Sequence, residues 1–573
     1  MSLQIVNIVE DHSAISMIYW VTINLFILLS IRVFTTPGNS RSKHVYPYIC
    51  GLFFLTFANP VSNGGSNGTV VDPIDELLQL DDDQLLEEIQ RATFKYFWDF
   101  AHPASGMARE RNTSGDLVTS GGSGFGVMAI LVGIHRNFIT REEGLARLQK
   151  IVGFLASADR FHGAWSHWIN GNSGKVIPFS ARDDGGDLVE TAFLLQGLLT
   201  ARAFFDGDNT EETLLRENIT DLWEEVDWNW YRKQVNQVLT WHWSPNYGFD
   251  INLPIRGWNE TMITYVLGIA SPTHTLPSSM YDKGWASNNY ENNRTFYGYK
   301  LEVGNDTGGP LFFTHYSFLG FDPRNKRDDY ANYFFQGRNQ TLVNRAWCMD
   351  NPKGFTGYGP NCWGLTASDD PQGYKAHAPN SGADNGTITP SAALGSTPYT
   401  PEESIGAARH FLDTYREEVW GPMGFYDAFN PSQNWYADSY LAIDQGPIIC
   451  MIENHRSGLL WDYFMRNPEI NNAMEKIGFR TDSSLTAVHD RVEDQLKVYP
   501  NPTSGDFTID YSNQAPEHLK VFDRSGKEVM MEAFNGPSHI NVSLNRELKE
   551  GIYYLVIKNS GFFITKKLML SPR

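Results

Sequence analysis

The sequence predicts a helical (α/α)6 barrel followed by a small β-sandwich, and three patterns support this fold class. Apolar residues recur at helical spacing from about residue 84 to residue 480, in segments that long loops separate. The segments number about a dozen and come in pairs, which suggests an (α/α)6 toroid. From about residue 490, apolar and polar residues alternate between turns rich in Gly, Pro and Asn, as in an antiparallel sandwich.

The length and composition indicate a large acidic protein with more than one domain. At 573 residues, the chain can bury a large core. The net charge of −20 argues against nucleic acid or an anionic membrane surface as partner. Aromatic residues make up 13% of the chain, including 16 Trp, which is more than a core requires. Because aromatic faces pack against sugar rings, carbohydrate is the leading ligand class, although any single Trp is more often a core residue.

Residues 1–70 are predicted to be an export leader and spacer. Two apolar runs, 15–31 and 45–58, lie in this segment. The second run follows Arg41 and Lys43 and gives way to small and polar residues, which is typical of a signal peptide. The first run leaves two interpretations open, a membrane anchor or a start placed too far upstream. We predict a secreted or cell-surface protein from which this leader is removed.

The remainder divides into a helical domain, residues 71–485, and a β-sandwich domain, residues 490–573. Long loops between helices are expected to be functional and to build a cleft at one end of the barrel. The predicted helices cover residues 84–101, 123–137, 140–157, 187–205, 211–238, 258–270, 311–319, 327–346, 401–417, 437–453 and 456–466.

No metal or other cofactor is assigned from the sequence. The histidines lack metal-ligand spacing, and the glycine-rich segment 121–126 is interpreted as a turn before a helix. The Asp- and Asn-rich loop 366–386 is a place where Ca²⁺ could bind. The cysteines form no disulfide framework, and at most one disulfide is expected in the mature chain, between Cys348 and Cys362.

The stretch 177–205 combines an apolar helix with an acidic first turn. Asp183, Asp187 and Glu190 follow the spacing i, i+4, i+7 and share one face if the helix begins early. The glycine pair 185–186 favours a later start, which leaves Asp187 and Glu190 on one face. Such acids often only cap a helix, but three like charges placed together tend to raise a pKa, which suits acid–base chemistry.

Two further acids occupy unusual places. Glu260 lies where a loop containing Arg256 and Trp258 enters an apolar helix, and Asp444 lies inside an otherwise apolar helix. A helix-start carboxylate and a buried ion pair are the simpler interpretations of Glu260 and Asp444, respectively. The alternative is functional, because two carboxyl groups flanking a cleft are the minimum equipment for glycoside hydrolysis.

Several long motifs resemble one known family over roughly residues 80–470. They are FKYFWDFAHPASGMARER (94–111), RFHGAWSHWINGNSGKVIPFSARDDGGDLVETAFLLQGLLTAR (160–202), WHWSPNYGFDINLPIRGWNETMITYVL (241–267), GGPLFFTHYSFLGFDPR (308–324), NCWGLTASD (361–369), DNGTITPSAALGSTPYTPEES (384–404), and GPMGFYDAFN with NWYADSYLAIDQGPIICMIEN (421–454). These motifs resemble the bacterial glucoamylase-like proteins of glycoside hydrolase family 144. The resemblance implies an (α/α)6 barrel and the hydrolysis of β-1,2-glucan with inversion of configuration.

The C-terminal VYPNPTSGDF, GIYYLVI and KKLML resemble the type IX secretion sorting domain of Bacteroidetes. This resemblance implies passage across the outer membrane, with the tail usually removed.

The family resemblance also implies residue roles. Glu260 of RGWNE and Asp444 of AIDQGP match the general acid and general base, with protons passing through a substrate hydroxyl or a water chain. The acidic cluster would bind and orient glucosyl units. We therefore expect substrate binding by Asp183, Asp187, Glu190 and Arg256, with glucosyl rings packed on Trp165, Trp168, Trp243 and Trp258.

Two other functions stay open at this point. The cleft could bind glycan without catalysis, although every acid of the matched motifs is present. Another (α/α)6 enzyme such as a polysaccharide lyase acts on uronic acids, which an acidic cleft would repel. Endo cleavage and exo release of sophorose are not distinguished. The expected partners are a β-glucan and the type IX secretion machinery but no nucleic acid, and a monomer is expected.

Overall fold

The computed structural model describes residues 72–233, 236–482, 496–511, 517–523, 527–534, 539–558 and 563–572. The predicted leader lies outside these ranges. In the part of the chain that is described, no helix combines the length and the apolar composition needed to cross a membrane.

Helices dominate the described chain up to residue 477. The α-helices are Pro73–Gln79, Asp82–Trp98, Ser120–His135, Arg141–Ser157, Leu188–Phe204, Thr210–Glu224, Trp228–Tyr231, Met262–Ala270, Tyr333–Asp350, Pro390–Leu394, Pro401–Tyr415, Ala442–Arg456, Leu459–Phe464 and Pro468–Ile477. Shorter helical turns of other types are Tyr281–Ala286, Leu311–Thr314, Tyr316–Phe318, Arg416–Glu418 and Pro431–Gln433.

Among the described residues, several helical segments are buried along most of their length, and six of these recur along the chain with other helices between them. Because these segments are buried on nearly all sides, each has packing partners around it, as in an inner ring. The alternation fits the predicted (α/α)6 barrel. The buried segments are Ser120–His135, Leu188–Phe204, Met262–Ala270, 311–318, Pro390–Leu394 and Ala442–Arg456.

Helices Ser120–His135 and Leu188–Phe204 approach each other at backbone distance. A Cβ at Gly124 would lie 2.2 Å from the carbonyl oxygen of Phe193, and one at Gly197 would lie 2.1 Å from that of Gly124. The predicted turn at 121–126 is therefore wrong, because these glycines lie inside a helix. Glycine weakens an isolated helix by about 0.5–1 kcal/mol relative to alanine, and here tertiary packing overrides that preference.

The loops between the helices carry many short strands that the sequence analysis did not predict. For example, Gly186–Asp187 pairs with His242–Trp243 and so joins two loops at the start of a buried helix. The strands are Leu117–Thr119, Trp168–Asn170, Val176–Ile177, Gly186–Asp187, Leu239–Thr240, His242–Trp243, Pro254–Ile255, Glu291–Phe296, Tyr299–Val303, Lys326–Arg327, Ala367–Asp370, Gly373–Ala376, Trp420–Gly421, Gly424–Phe425, Phe429–Asn430, Trp435–Tyr436 and Arg480–Thr481.

Two local expectations are wrong. The helix expected over 211–238 ends at Glu224, since Asp227 caps a separate short helix by accepting a hydrogen bond from the Trp230 amide. The disulfide suggested between Cys348 and Cys362 is not formed, and both thiols are buried and free.

The C-terminal region is strand-rich, in two antiparallel sheets. One sheet has three strands and the other has four among the described residues. A single hydrophobic cluster contains side chains from both sheets, including Ile509 of the first and Leu519 and Leu555 of the second. The strands are Leu496–Tyr499, Asp506–Tyr511, His518–Asp523, Glu528–Ala533, His539–Ser543, Gly551–Lys558 and Phe563–Leu570.

Candidate active site

The helix Leu188–Phe204 begins where the glycine pair 185–186 suggested, and Asp187 is its N-cap. One carboxylate oxygen of Asp187 accepts hydrogen bonds from the amides of Val189 and Glu190, at 3.0 and 2.9 Å. The capping interpretation is therefore correct for this oxygen. The side chains of Asp187 and Glu190 both lie buried at the start of the helix.

The second oxygen of Asp187 belongs to a charged cluster. It accepts a hydrogen bond from Trp241 Nε1 at 3.1 Å and lies 3.4 Å from His167 Nδ1. Burial opposes protonation of His167, but the carboxylates of Glu190, Asp187 and Asp183 outweigh it and raise its pKa to about 10. A cationic imidazole therefore sits among these acids at neutral pH.

Glu190 is held against the neighbouring buried helix. Its Oε2 accepts a hydrogen bond from the Gly121 amide at 2.9 Å, and a Cβ at Gly121 would lie 2.4 Å from that oxygen. Burial, helped by Asp187, raises the pKa of Glu190, while the charge of His167 counteracts the rise. Asp183, from the preceding loop, pairs with His242 Nε2 at 3.1 Å.

Glu260 lies two residues before helix Met262–Ala270 on a tightly held backbone. Asn259 accepts hydrogen bonds from the amide and hydroxyl of Thr261, and the Ser317 hydroxyl donates to the Glu260 carbonyl. Glu260 as a whole is only partly exposed. Burial, with smaller contributions from Glu190 and Asp187, raises the pKa of Glu260 to about 7. Glu260 therefore keeps its proton in mildly acidic solution, as a general acid requires.

Asp444 lies in the first turn of helix Ala442–Arg456 and is only 1% exposed. Ser391 donates a hydrogen bond to its Oδ1 at 3.2 Å. Burial raises the pKa of Asp444 to about 7, and hydrogen bonds with Asp427 and Ser391 act in the opposite direction. The buried ion pair that was one interpretation of Asp444 is not formed among the described residues, and a neighbour of this carboxyl group is a second acid, Asp427.

One tyrosine lies within electrostatic reach of both Glu260 and Asp444. Burial raises the pKa of Tyr316, and the charges of Asp444, Tyr374, Glu260 and Glu190 raise it further. Tyr316 therefore lies within electrostatic reach of both candidate catalytic acids and of the acidic cluster. Tyr374, in strand Gly373–Ala376, is 42% exposed, and the charge of Asp444 also raises its pKa.

A partly exposed aromatic surface lies beside the acidic cluster. Phe179 is 43% exposed, stacks on His167 with ring centroids 4.5 Å apart, and lies 4.7 Å from Trp168. Trp168 is itself partly exposed. The two rings form an apolar platform beside the carboxylates, which is the combination that sugar rings bind.

Comparison with known proteins identifies the family. A family model described as "Putative glucoamylase" matches residues 252–468, and one described as "Secretion system C-terminal sorting domain" matches residues 497–571. An exo β-1,2-glucooligosaccharide sophorohydrolase (non-reducing end) from Parabacteroides distasonis is 46% identical over 418 residues, which are 69% of this chain. The chain spans 58% of the length of that relative.

A solved endo-β-1,2-glucanase from Chitinophaga pinensis, in complex with sophorotriose and glucose, is 51% identical, with a TM-score of 0.69. The match covers 70% of this chain and 99% of that one. The chain belongs to the glucoamylase-like glycoside hydrolases of family 144. An endo-β-1,2-glucanase from Talaromyces funiculosus is only 12% identical over 71% of this chain and 91% of that one, with a TM-score of 0.52, so it shows a shared fold alone.

In this glucoamylase-like protein, two of the predicted tryptophan platforms are wrong. Trp165 is 0% exposed and donates through Nε1 to the carbonyl of Leu155 at 3.1 Å. Trp258 is 7% exposed, donates to Gln340 at 2.8 Å and stacks on Tyr333. Both belong to the core, since neither ring has a free face for a sugar.

The other predicted binding residues keep accessible surface. Trp168 and Trp243 are partly exposed, and Arg256 is exposed. Trp243 packs edge-on against His162 and Trp230, so part of its ring is already occupied. Their role in binding stays a prediction.

The loop considered for Ca²⁺ is organised differently. Asp370 pairs with Lys375 at 3.3 Å and with His377 at 3.3 Å, and Asp384 lies 3.6 Å from Lys353. Within the described ranges, no group of three or more His, Cys, Asp or Glu residues is arranged to hold a metal ion.

The sequence analysis did not single out several residues at this site. They lie in loops, short strands or a short helical turn, where periodicity carries little signal, and the only sequence cue was that all of them except Tyr374 fall inside the family motifs. The residues are His167, Phe179, Tyr316, Asp369, Tyr374 and Asp427.

Proposed function

We propose that the protein hydrolyses β-1,2-glucan with inversion of configuration, using Glu260 as general acid and Asp444 as general base. One observation carries the proposal. Glu260 and Asp444 each have a pKa raised to about 7, and the charges of both raise the pKa of the same tyrosine, Tyr316. Two carboxyl groups poised near neutrality on either side of a cleft are what glycosidic bond cleavage requires.

Glu260 supplies the proton for the leaving group. In its protonated form it donates to the glycosidic oxygen as the bond to the anomeric carbon breaks, and it is left as a carboxylate. The pKa near 7 suits this role, because an acid with an ordinary pKa would already be ionised at neutral pH.

Asp444 receives the proton of the attacking water. Because it is buried, the proton travels through an intervening hydrogen-bonded group rather than by direct contact with the nucleophile. A water that attacks the face opposite the leaving group produces inversion, and inverting enzymes separate their carboxyl groups by roughly 6.5–9.5 Å to admit it.

The acidic cluster and the platform bind the sugar chain. Carboxylates such as Asp183 accept hydrogen bonds from glucosyl hydroxyls, while Trp168 and Phe179 cover the apolar faces of the rings. When no substrate is bound, the positive charge of His167 stabilises the anionic cluster.

Replacing Phe179 with alanine is expected to raise KM for β-1,2-glucan about 3–10-fold with kcat unchanged. One lost aromatic contact removes about 0.5–1.5 kcal/mol of binding, and this contact is made equally in the ground state and the transition state. Steady-state kinetics test this. The control is Tyr499→Ala, which removes a similarly exposed ring from the C-terminal region and should leave KM unchanged. A fall in kcat alone would contradict the platform role.

The experiment that tests the proposed function is product analysis with defined glucans. The purified protein should release oligosaccharides from linear β-1,2-glucan and none from β-1,3- or β-1,4-glucan. A single early product, sophorose, indicates exo action, and a ladder indicates endo action. The first-formed sugar should carry the α-anomer by proton NMR. Failure to release reducing sugar would leave glycan binding without catalysis, and an unsaturated product would indicate a lyase.

We infer further that the two C-terminal sheets form a β-sandwich that directs the protein across the outer membrane through type IX secretion. The matched sorting-domain family supports this role, and the hydrophobic cluster shared by the two sheets supports the sandwich. We also propose that the exported protein is a monomer that has lost its leader.

Deleting residues 497–571 is expected to abolish export in a Bacteroidetes host. The deleted chain lacks the sorting signal and should remain inside the cell envelope, whereas the full chain reaches the surface or the medium. Glucanase activity measured in separated cell fractions tests this. Equal export of both chains would show that the C-terminal region is not the sorting signal.

A further inference from the structure

Asp427 is a second buried acid beside Asp444. It lies between the short strands Gly424–Phe425 and Phe429–Asn430, and like Asp444 it is 1% exposed. Among the described residues, neither carboxyl group forms an ion pair. A buried carboxylate without a cation is expensive, so this arrangement needs another source of stability.

In each of the two carboxyl groups, only one oxygen accepts a hydrogen bond from a described donor. Oδ2 of Asp427 accepts from the Asp369 amide at 2.7 Å, and Oδ1 of Asp444 accepts from the Ser391 hydroxyl at 3.2 Å. Oδ1 of Asp427 and Oδ2 of Asp444 are buried, and no described donor reaches either of them. The two carboxyl groups interact directly with each other. One proton between the two remaining oxygens would satisfy both of them.

The surrounding charges indicate which residue holds that proton. Burial raises the pKa of Asp427 well above its usual value, and the charges of Asp444 and Asp369 raise it further. The hydrogen bond from Asp427 lowers the pKa of Asp444 relative to burial alone. Asp427 is therefore the protonated partner.

The other ionisable groups around the pair come from four parts of the chain. Arg111 lowers the pKa of Asp444, but its guanidinium already pairs with Glu110 at 2.9 Å and with Asp369 at 3.2 Å. The remaining groups are three tyrosines whose pKa values burial and the nearby acids raise, so their phenols are neutral at working pH, namely Tyr96, Tyr316 and Tyr374.

We propose that Asp427 is a positioning residue whose neutral carboxyl group donates a hydrogen bond from Oδ1 to Oδ2 of Asp444 and so holds Asp444 as an oriented carboxylate. This inference rests on the proposed role of Asp444 as base. The pair starts each turnover with one proton and one negative charge. Asp444 then accepts the proton of the attacking water, while Glu260 gives its own proton to the leaving oxygen. The surplus proton returns from the pair to Glu260 through solvent, which restores both groups.

Two variants of the full chain separate this role from simple packing. In Asp427→Asn, the Asp369 amide selects the side-chain oxygen, so Nδ2 faces Asp444 and can replace the donated hydrogen bond. In Asp427→Leu, a side chain of similar size offers no donor. We measure kcat/KM on β-1,2-glucan against pH for both variants and the wild type.

The acidic limb of the profile should coincide for the wild type and Asp427→Asn. In Asp427→Leu it should move upward by about one pH unit or more, because Asp444 stays buried but loses a hydrogen bond to its charged form. Packing damage would lower kcat or thermal stability without moving this limb. A limb in Asp427→Leu that coincides with that of the wild type overturns the proposal.

Infrared spectroscopy provides a second measurement that does not depend on turnover or on Asp427→Leu folding. The wild type near neutral pH should show the carbonyl band of a protonated carboxyl group that Asp427→Asn lacks. If the wild type shows no such band, Asp427 is not the proton holder and the proposal fails. If the band is present but β-1,2-glucan is not cleaved, the proposed function fails while the hydrogen-bonded pair stands.

Discussion

Replacing Glu260 with glutamine is expected to lower kcat on β-1,2-glucan by about 10²–10⁴-fold with little change in KM. Glutamine fills the same space but has no proton to give to the leaving oxygen. A substrate with a leaving group that needs no protonation, such as sophorosyl fluoride, should restore much of the lost rate. Steady-state kinetics on both substrates measure this, and Glu291→Gln, at an exposed glutamate, is the matched control.

The same variant should become more stable than the wild type at high pH. Because burial raises the pKa of Glu260 from 4.5 to about 7, the folded protein holds a proton that the unfolded chain has already released. The free energy of unfolding therefore falls as the pH rises from 4.5 to about 7. Glutamine does not titrate, so the variant avoids this loss, which is at most about 3 kcal/mol. Melting curves should show the difference above pH 7 and none below pH 4. Near-normal turnover together with unchanged melting would remove Glu260 from the mechanism.

Replacing Asp444 with asparagine is expected to lower kcat by about 10²–10⁴-fold as well, but the fluoride should not rescue it. The attacking water still has to lose its proton, whatever the leaving group is. The exposed Asp438, six residues earlier, gives the control variant Asp438→Asn.

The two substrates together assign the roles. Rescue of Asp444→Asn by the fluoride would mean that Asp444 is the general acid and Glu260 the general base. Full activity of Asp444→Asn on glucan would transfer the base to the acidic cluster, where Asp187 and Glu190 are the candidates. Circular dichroism of each variant shows whether a lost rate reflects chemistry or unfolding.

The sequence predicted well those elements whose signal is local. The helix Leu188–Phe204 was expected over 187–205, because its apolar residues and its capping aspartate both mark the same boundary. Glu260 and Asp444 were also singled out as candidates, since an acid at the entry to an apolar helix or inside one stands out without knowledge of the fold.

Features set by tertiary contacts were not predictable in this way. Trp165 and Trp168 are three residues apart, yet one is fully buried and the other partly exposed, and only the path of the loop decides which. The helix expected to reach 238 ends at Glu224 although no glycine or proline marks that end. Asp427 lies in a short loop between two-residue strands, where no periodic pattern could distinguish it from a solvated acid.

The glycines that bring helices Ser120–His135 and Leu188–Phe204 together restrict how this protein can be altered. With Gly124 against the Phe193 carbonyl and Gly121 against Glu190, neither position beside the proposed sugar site has room for a larger side chain. Attempts to redesign substrate preference, whether in nature or in the laboratory, should therefore succeed by changing the loops at the rim. Larger residues at these helix glycines would separate the carboxylates before they changed which substrate the cleft accepts.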